Sequence, residues 1–254
     1  MSRVDDGTPI LETVDLTRNF GMVKAADGIS VEIKRGELVG IVGANGSGKT
    51  TFLNLITGYL TPERGRILFM GHETTGLPPR ALTKLGVARS FQVPQLYTGL
   101  SILENMLLSL AARSAGRSSA WQPLYHDPWI AEGLEILERF GLRAYADRPV
   151  GQLPEGGRKL LDIALSFALR PQLLLMDEPT SGVSIEDKGR VMDTLVGVLR
   201  QSDVTTIFVE HDMDVVQRYA RRVLVFDIGK VIAQGETESV LADPEVRMAV
   251  LGRV

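Results

Sequence analysis

Gly43-Ala44-Asn45-Gly46-Ser47-Gly48-Lys49-Thr50 fits the pattern GxxxxGK[ST], and it lies between a compact apolar run, Leu38 to Val42, and a segment of helical character from Thr51 to Thr57. No other feature of the chain constrains the fold as strongly. A strand must run into a glycine-rich turn, and the turn into a helix N-terminus. Glycines at such a turn let consecutive backbone N–H groups point inward around phosphate oxygens. The Lys49 ammonium supplies a point charge to the β and γ phosphates, and the Thr50 hydroxyl is offered to Mg2+. An ordinary glycine-rich turn can carry the same letters, but the four fixed positions arise by chance in a chain this long only about once in a hundred sequences.

The rest of the pattern tells which fold surrounds this turn. Ile29, Val31 and Ile33 alternate with Ser30, Glu32 and Lys34, the period of a half-buried strand, and a shorter alternating piece runs from Leu11 to Leu16. Arg66 to Met70 reads as another strand, closed by Gly71. From Leu100 to Leu142 the pattern is helical, with Ile130, Leu134, Leu137 and Gly141 on one face. Ser114 to Pro128, rich in Ser, Gly, Pro and aromatic residues, reads as a loop within that region. After Leu160 come a helix, the apolar strand Leu173 to Met176, a helix from Glu186 to Arg200, the strand Thr205 to Val209, another helix, and strands Val223 to Phe226 and Val231 to Ala233 around Gly229. Strands separated by helices predict an α/β fold with a parallel sheet, antiparallel N-terminal pieces packed on it and an inserted helical segment.

Composition narrows the function. The chain has 254 residues, with 28 basic against 31 acidic side chains and a net charge of −3. It therefore lacks the basic footprint of a dedicated nucleic-acid binder, and no nucleic-acid partner is expected. With no cysteine, disulfides, thiolate nucleophiles and Cys-rich zinc sites are excluded, and the chain reads as cytosolic. Asp5 and Asp6 stand where a signal peptide needs basic then apolar residues, and no uncharged apolar run approaches the roughly 18 residues that span a bilayer. Work at a membrane would require other subunits to hold the chain there.

A second motif complements the first. Leu173-Leu174-Leu175-Met176-Asp177-Glu178 ends a buried strand with two successive carboxylates, whose side chains leave the strand in opposite directions. Asp177 is placed to hold a metal's water shell, while Glu178 can orient or deprotonate the water that attacks a γ phosphate. A lone Asp-Glu is ordinarily just an acidic strand end; its coupling to a phosphate loop gives it a catalytic reading. Gln92 follows Ser90-Phe91 after a predicted strand, and His211 follows the apolar run Ile207 to Glu210. Both can present side chains at the C-terminal edge of the sheet, where ligands of α/β folds bind. His72 and His126 lie in turn-like stretches and receive no role.

In order, Gly43 to Thr50, Gln92, Leu153 to Arg158, Leu173 to Glu178 and His211 resemble the nucleotide-binding subunits of ATP-binding cassette transporters, and the resemblance spans nearly the whole chain. It implies a P-loop NTPase (RecA-like) core over 1–90 and 159–254 with an N-terminal antiparallel β subdomain, and a helical subdomain with insert and signature over 91–158. It also implies an Mg2+-dependent ATP hydrolase. Phe20 would stack on adenine; Gly43, Asn45, Gly46, Ser47, Gly48, Lys49, Thr50 and Thr51 would hold the phosphates. Thr50, Gln92 and Asp177 would serve the metal, and Glu178, His211 and Gln92 would carry the chemistry. Gly156 and Gly157 would contact nucleotide held by a second cassette. Implied partners are that second ATPase subunit, in a homo- or heterodimer, transmembrane permease subunits and, indirectly, a periplasmic or extracellular solute-binding protein. The place of work would be the inner face of the cell membrane.

Arg89-Ser90-Phe91-Gln92, Leu103-Glu104-Asn105, Val209 to Met213, Gly229 to Gly235 and the ending Pro244 to Gly252 resemble the branch serving uptake of branched-chain and other hydrophobic amino acids or related amides. Lipopolysaccharide-export ATPases have similar endings but lack an insert like Ala111 to Ile130. Soluble cassettes that act on nucleic acid or ribosomes add tandem domains or basic extensions not seen here. A purely regulatory ATP binder is disfavoured by Lys49, Asp177, Glu178 and His211. Two positions depart from the family. The signature, usually Leu-Ser-Gly-Gly-Gln, reads Leu153-Pro154-Glu155-Gly156-Gly157, so Pro154 brings neither hydroxyl nor N–H to a phosphate. Ser184 stands where the following loop often carries Asp. Finally, the apolar stretch Val93 to Tyr97 directly after Gln92 is expected either to dock the permease or to cap the helical subdomain's own core.

Overall fold

The computed structural model describes residues 7–114 and 123–251. The N-terminal Asp5 and Asp6, residues 115–122 of the Ser114 to Pro128 loop and of the Ala111 to Ile130 insert, and Gly252 of the C-terminal ending lie outside the described residues. The chain forms two compact units, one of residues 1–85 with 203–254 and one of residues 86–202.

The first unit begins with β1 (Leu11–Phe20) and β2 (Val23–Ile33), an antiparallel hairpin whose register pairs Leu11 with Ile33 and Phe20 with Val23. The alternation read over Ile29 to Lys34 holds: Ile29, Val31 and Ile33 are buried while Ser30, Glu32 and Lys34 face solvent. β3 (Leu38–Gly43) is buried along nearly its whole length and leads through residues 44–48 into α1 (Lys49–Ile56). β4 (Arg64–Phe69) pairs antiparallel with β1, and the two-residue β5 (His72–Glu73) pairs with β4, so His72 lies in a strand opposite Phe69 rather than in a turn. α2 (Pro79–Leu85) closes this stretch.

The second unit opens with β6 (Val87–Ser90). α3 (Ile102–Ser114) starts at a reciprocal cap, in which the Ser101 hydroxyl accepts from the Glu104 N–H and the Glu104 carboxylate accepts from the Ser101 N–H. α4 (Asp127–Arg139) follows, then α5 (Glu155–Ala168), β7 (Leu173–Asp177) and α6 (Ile185–Arg200). β6 and β7 run parallel, with Val87 opposite Leu173 and Ser90 opposite Met176. The helices pack on one another through α5, and Phe140 meets Phe167 edge-on at 5.7 Å between ring centres. The inward face of α4 is Trp129, Gly133, Ile136 and Leu137, so of the row read through Ile130, Leu134, Leu137 and Gly141 only Leu137 is buried. Gly133 explains the rotation. A Cβ there would stand 3.1 Å from the Met106 side chain, so α3 and α4 approach closely at a position that apolar periodicity does not mark.

The chain then returns to the first unit with β8 (Thr205–Val209), α7 (Met213–Tyr219), β9 (Arg222–Asp227), β10 (Lys230–Glu236), α8 (Thr237–Ala242) and α9 (Pro244–Leu251). β3 lies parallel to both β8 and β9, and β10 closes that edge antiparallel to β9. This is the α/β arrangement the sequence predicts, with a mixed sheet beside an antiparallel one. No helix among the described residues is long and apolar enough to cross a membrane.

Candidate nucleotide-binding and hydrolytic site

Sterics enforce the turn after β3. Gly43, Gly46 and Gly48 all have positive φ, and a Cβ on Gly43 would stand 2.2 Å from the Phe226 carbonyl oxygen, one on Gly48 2.4 Å from that of Ala25. Gly48 is also the N-cap of α1, so the helix begins where the loop has used its most permissive residue. Gly48→Ala is expected to cost at least about 1–3 kcal/mol from backbone strain alone. A chain of this size loses about 2–4 °C of melting temperature per kcal/mol; thermal unfolding that shows no loss would contradict this account of the loop.

The loop is braced from behind. The Ser47 carbonyl accepts from the Gly229 N–H and the Gly229 carbonyl accepts from the Asp27 N–H, tying it to the β9–β10 turn and to β2. Lys49, only 6% exposed, donates from Nζ to the carbonyls of Gly43 at 2.7 Å and Ala44 at 2.8 Å. Its charge is thereby held over the loop's concave side. Thr50 in the first turn of α1 is exposed and Thr51 half-buried, while Asn45 and Gly46 are exposed at the tip. A cleft of about 350 Å³ adjoins this loop, bounded by Met22 to Lys24, Ala44 to Ser47, Asp227 and Ile228. Phe20, at the end of β1, is 45% exposed and lies under the Arg18 guanidinium, 5.3 Å from its ring centre.

Parallel pairing brings His211 to the same edge of this unit. Ile41 lies opposite Val209, so Gly43 and His211 each follow their paired residue by two positions. His211 is exposed; the buried Glu210 before it accepts the His211 N–H, and Asp212 caps α7 by accepting from the Asp214 and Val215 N–H groups.

The second unit brings Gln92 together with two carboxylates, Asp177 and Glu178, at its strand ends. Gln92 and Glu178 stand just beyond the C-terminal ends of β6 and β7, and the Gln92 amide donates to the Glu178 carboxylate at 2.6 Å. Glu178 adopts φ 51°, left-handed backbone that a residue with a side chain seldom takes. Asp177 is 5% exposed and forms a 2.8 Å ion pair with Arg89 of β6. From α5, Lys159 donates to the carbonyls of Gln92 and Glu178. Asp162 accepts the N–H groups of Phe91 at 3.0 Å and Gln95 at 3.1 Å. Burial pushes the Asp162 carboxyl up to about 6, against the opposing pull of those two N–H groups and of the Lys159 ammonium.

Two departures from the family pattern acquire physical content. Pro154 is the N-cap of α5, so Gly156 and Gly157 lie in its first turn, where helix geometry leaves N–H groups pointing outward. Gly156 is also where α5 touches α6, since a Cβ there would meet Val191 at 3.0 Å. Glu155 pairs with Arg158 at 3.4 Å. The Ser184 hydroxyl, standing where an acid is usual, accepts the Asp187 N–H as N-cap of α6. A small hydroxyl there starts a helix.

The oxygen donors expected to serve a cation, the Thr50 hydroxyl, the Gln92 amide and the Asp177 carboxylate, suit Mg2+ rather than a soft metal. The described residues contain no cluster of three or more His, Cys, Asp or Glu side chains. Oxygen donors of this kind are those used by a hard ion that keeps several waters and binds together with phosphates. Arg89, Lys159 and Asp162 received no role from sequence reasoning. The opposite charges of Lys159 and Asp162 at i and i+3 amid Leu160, Leu161, Ile163 and Ala164 were the available signal.

A phosphate loop on a parallel strand, with a glutamine and a glutamate at the ends of a second parallel strand pair, defines the class of P-loop nucleoside triphosphatases. The ABC transporter family model matches residues 26–181. The probable branched-chain amino acid transport ATP-binding protein LivG of Methanocaldococcus jannaschii is 34% identical over 260 residues, covering 97% of this chain and 99% of its own. An ATP-binding cassette of an ABC transporter solved in its ADP conformation superimposes with a TM-score of 0.84 at 31% identity, over 97% of this chain and 100% of that one. A dimeric cassette in a post-hydrolysis state, bound to ADP and Pi, gives 0.77 at 26% identity, over 89% and 98%. The chain belongs to the ABC transporter family and is an ATP-binding cassette.

Proposed function

We propose that the chain binds and hydrolyses ATP with Mg2+ to drive uptake of branched-chain or other hydrophobic amino acids, working as a dimer of cassettes on the cytoplasmic face of a membrane permease supplied by an external solute-binding protein. The Gln92–Glu178 hydrogen bond carries the hydrolytic part of this reading. It aims a carboxylate and an amide at one point beyond parallel strand ends, the arrangement needed to orient a water for in-line attack. Lys49 and the backbone N–H groups of residues 43–50 hold the β and γ phosphates, and Phe20 stacks on the base. Thr50, Gln92 and Asp177 would hold Mg2+, which would supply neutralisation of charge on the phosphate oxygens. Glu178 takes the proton of the attacking water as the bond from the γ phosphorus to the bridging oxygen breaks, leaving ADP and phosphate. His211 donates to the γ phosphate, and Gly156 and Gly157 serve the nucleotide of the partner cassette.

The amino acid assignment rests on the name of the full-length archaeal relative and on the sequence stretches noted above. It is tested by reconstituting the chain with its permease in vesicles: ATP-dependent accumulation of labelled leucine, isoleucine or valine is expected. Transport of an unrelated solute with no response to these three would refute it.

The segment after Gln92 is proposed as the permease dock. Val93 is 70% exposed and Tyr97 65%, so the Tyr97 ring does not fill this unit's own core. The Tyr97 backbone is nevertheless pinned, its N–H donating to Asn105 Oδ1 at 2.9 Å. Tyr97→Ala is expected to change stability by no more than about 0.5 kcal/mol, as for other exposed positions, while weakening co-purification with the permease. A large drop in melting temperature with normal assembly would reverse that assignment.

A further inference from the structure

We propose that Lys159 and Asp162 are positioning residues for the hydrolytic centre: the helix that starts at the signature segment fixes, through their side chains, the backbone on both sides of the Gln92–Glu178 contact. The proposal rests on the reading of Gln92 and Glu178 as the reacting pair.

Both side chains are almost wholly buried, Lys159 at 2% and Asp162 at 6% exposed. They stand three residues apart and so share one face of α5. A charge withdrawn from water is tolerated only where donors and acceptors replace the solvent, and here the replacements are backbone groups of two other segments. The Lys159 ammonium bridges the Gln92 carbonyl and, at 3.2 Å, the Glu178 carbonyl. The two Asp162 oxygens divide their work, Oδ2 taking the Phe91 N–H and Oδ1 the Gln95 N–H. The loop after β6, which has no regular hydrogen bonding of its own, is thus held just before Gln92, at Gln92 and three residues after it. Asn105 takes over at Tyr97, where it both accepts the N–H and donates to the carbonyl.

The Glu178 carbonyl is a telling target. It belongs to a residue at positive φ, and it also accepts the Ser181 N–H at 3.1 Å. Two donors on that one carbonyl oppose relaxation of the peptide toward ordinary backbone, which would swing the carboxylate away from Gln92. Lys159 spends its hydrogen bonds on the main chain of the two residues whose side chains must meet, and Asp162 spends its own on the backbone either side of Gln92.

The test uses the full-length chain and the variants Lys159→Met and Asp162→Asn, with Lys159→Arg and Asp162→Glu as conservative controls and Glu178→Gln alongside. Lys159→Met is expected to lower kcat for ATP by about ten- to a hundredfold, the scale of small misplacements in an active site, with KM within about threefold because Lys49 and its loop are untouched. Lys159→Arg is expected to recover most of that loss. Asp162→Asn, which leaves one N–H facing an amide rather than an acceptor, is expected to speed hydrogen exchange at the Phe91 or Gln95 amide by about tenfold, with exchange over 43–50 unchanged. Asp162→Glu is expected to keep both amides protected. Wild-type kcat in Lys159→Met, a rise in KM matching the fall in kcat, or unaltered exchange over 91–95 in Asp162→Asn overturns the proposal. If Glu178→Gln also hydrolyses at the wild-type rate, the hydrolytic reading has failed, and the exchange data alone decide whether α5 positions this loop.

Discussion

Glu178→Gln is expected to abolish most ATP turnover while leaving ATP binding intact. The substitution keeps the shape of the side chain and removes its basicity, and loss of a positioned base typically costs about 10²- to 10⁴-fold in rate. The geometry adds a reason why glutamine cannot substitute. The Gln92 amide donates to the Glu178 carboxylate, and a second amide can still accept that hydrogen bond through its oxygen but can take no proton from water. Binding should persist, because the glycine-rich turn and the Lys49 side chain that are read as holding the phosphates are unchanged in the variant, and the closed, ATP-loaded dimer should accumulate. Steady-state hydrolysis by the assembled transporter, measured with ATP affinity on the same preparation, decides the matter; turnover at the wild-type rate would remove Glu178 from the chemistry.

The second large effect is expected at Lys49. Truncating one partner of a desolvated, hydrogen-bonded charge pair costs about 2–5 kcal/mol, so Lys49→Ala should weaken ATP–Mg2+ binding by about thirty- to several-thousandfold. Lys49 also bonds the carbonyls of its own loop, so melting temperature must be followed in parallel. Loss of affinity in a folded variant is the predicted result; calorimetry that finds an unchanged dissociation constant would sink the assignment of this loop.

Both positions were legible in the sequence because each sits at a break between two strong local patterns. β3 and β7 are apolar runs buried on both faces, and where such a run stops at a polar or glycine residue the strand end is marked. The alternating strand of the N-terminal hairpin was equally plain, since one of its faces is wet. β5 has two residues, too few to repeat a period, and α2 buries only Leu82, so it shows no apolar row. The closing helices bury few side chains, Thr237 and Leu241 in α8 and Val246 in α9, so no apolar row announces them. The α4 face is only partly legible, through Leu137, because Gly133 supports close helix contact without an apolar side chain to announce it. Lys159 and Asp162 carry only a weak mark in the sequence, opposite charges three apart in an apolar run, for a different cause. Pattern reading sends charges to solvent, and these two are inside because main-chain groups of distant segments satisfy them, a fact that belongs to tertiary structure. The sequence places Arg89 three residues before Gln92, but only the parallel register of β6 on β7 carries its guanidinium to Asp177.

The backbone of Glu178 has a consequence for anyone who would engineer this protein. A residue with a side chain in the left-handed region carries strain of about 1–3 kcal/mol, and glycine at that position would be relieved of it. Substitutions chosen for thermal tolerance would therefore be drawn to position 178, because the fold gains most where its geometry is least comfortable. On the role proposed for Glu178, that backbone is what turns the carboxylate toward Gln92, so hardiness and turnover would pull this one residue in opposite directions. A library selected on heat resistance alone would be enriched in cassettes that endure and do nothing.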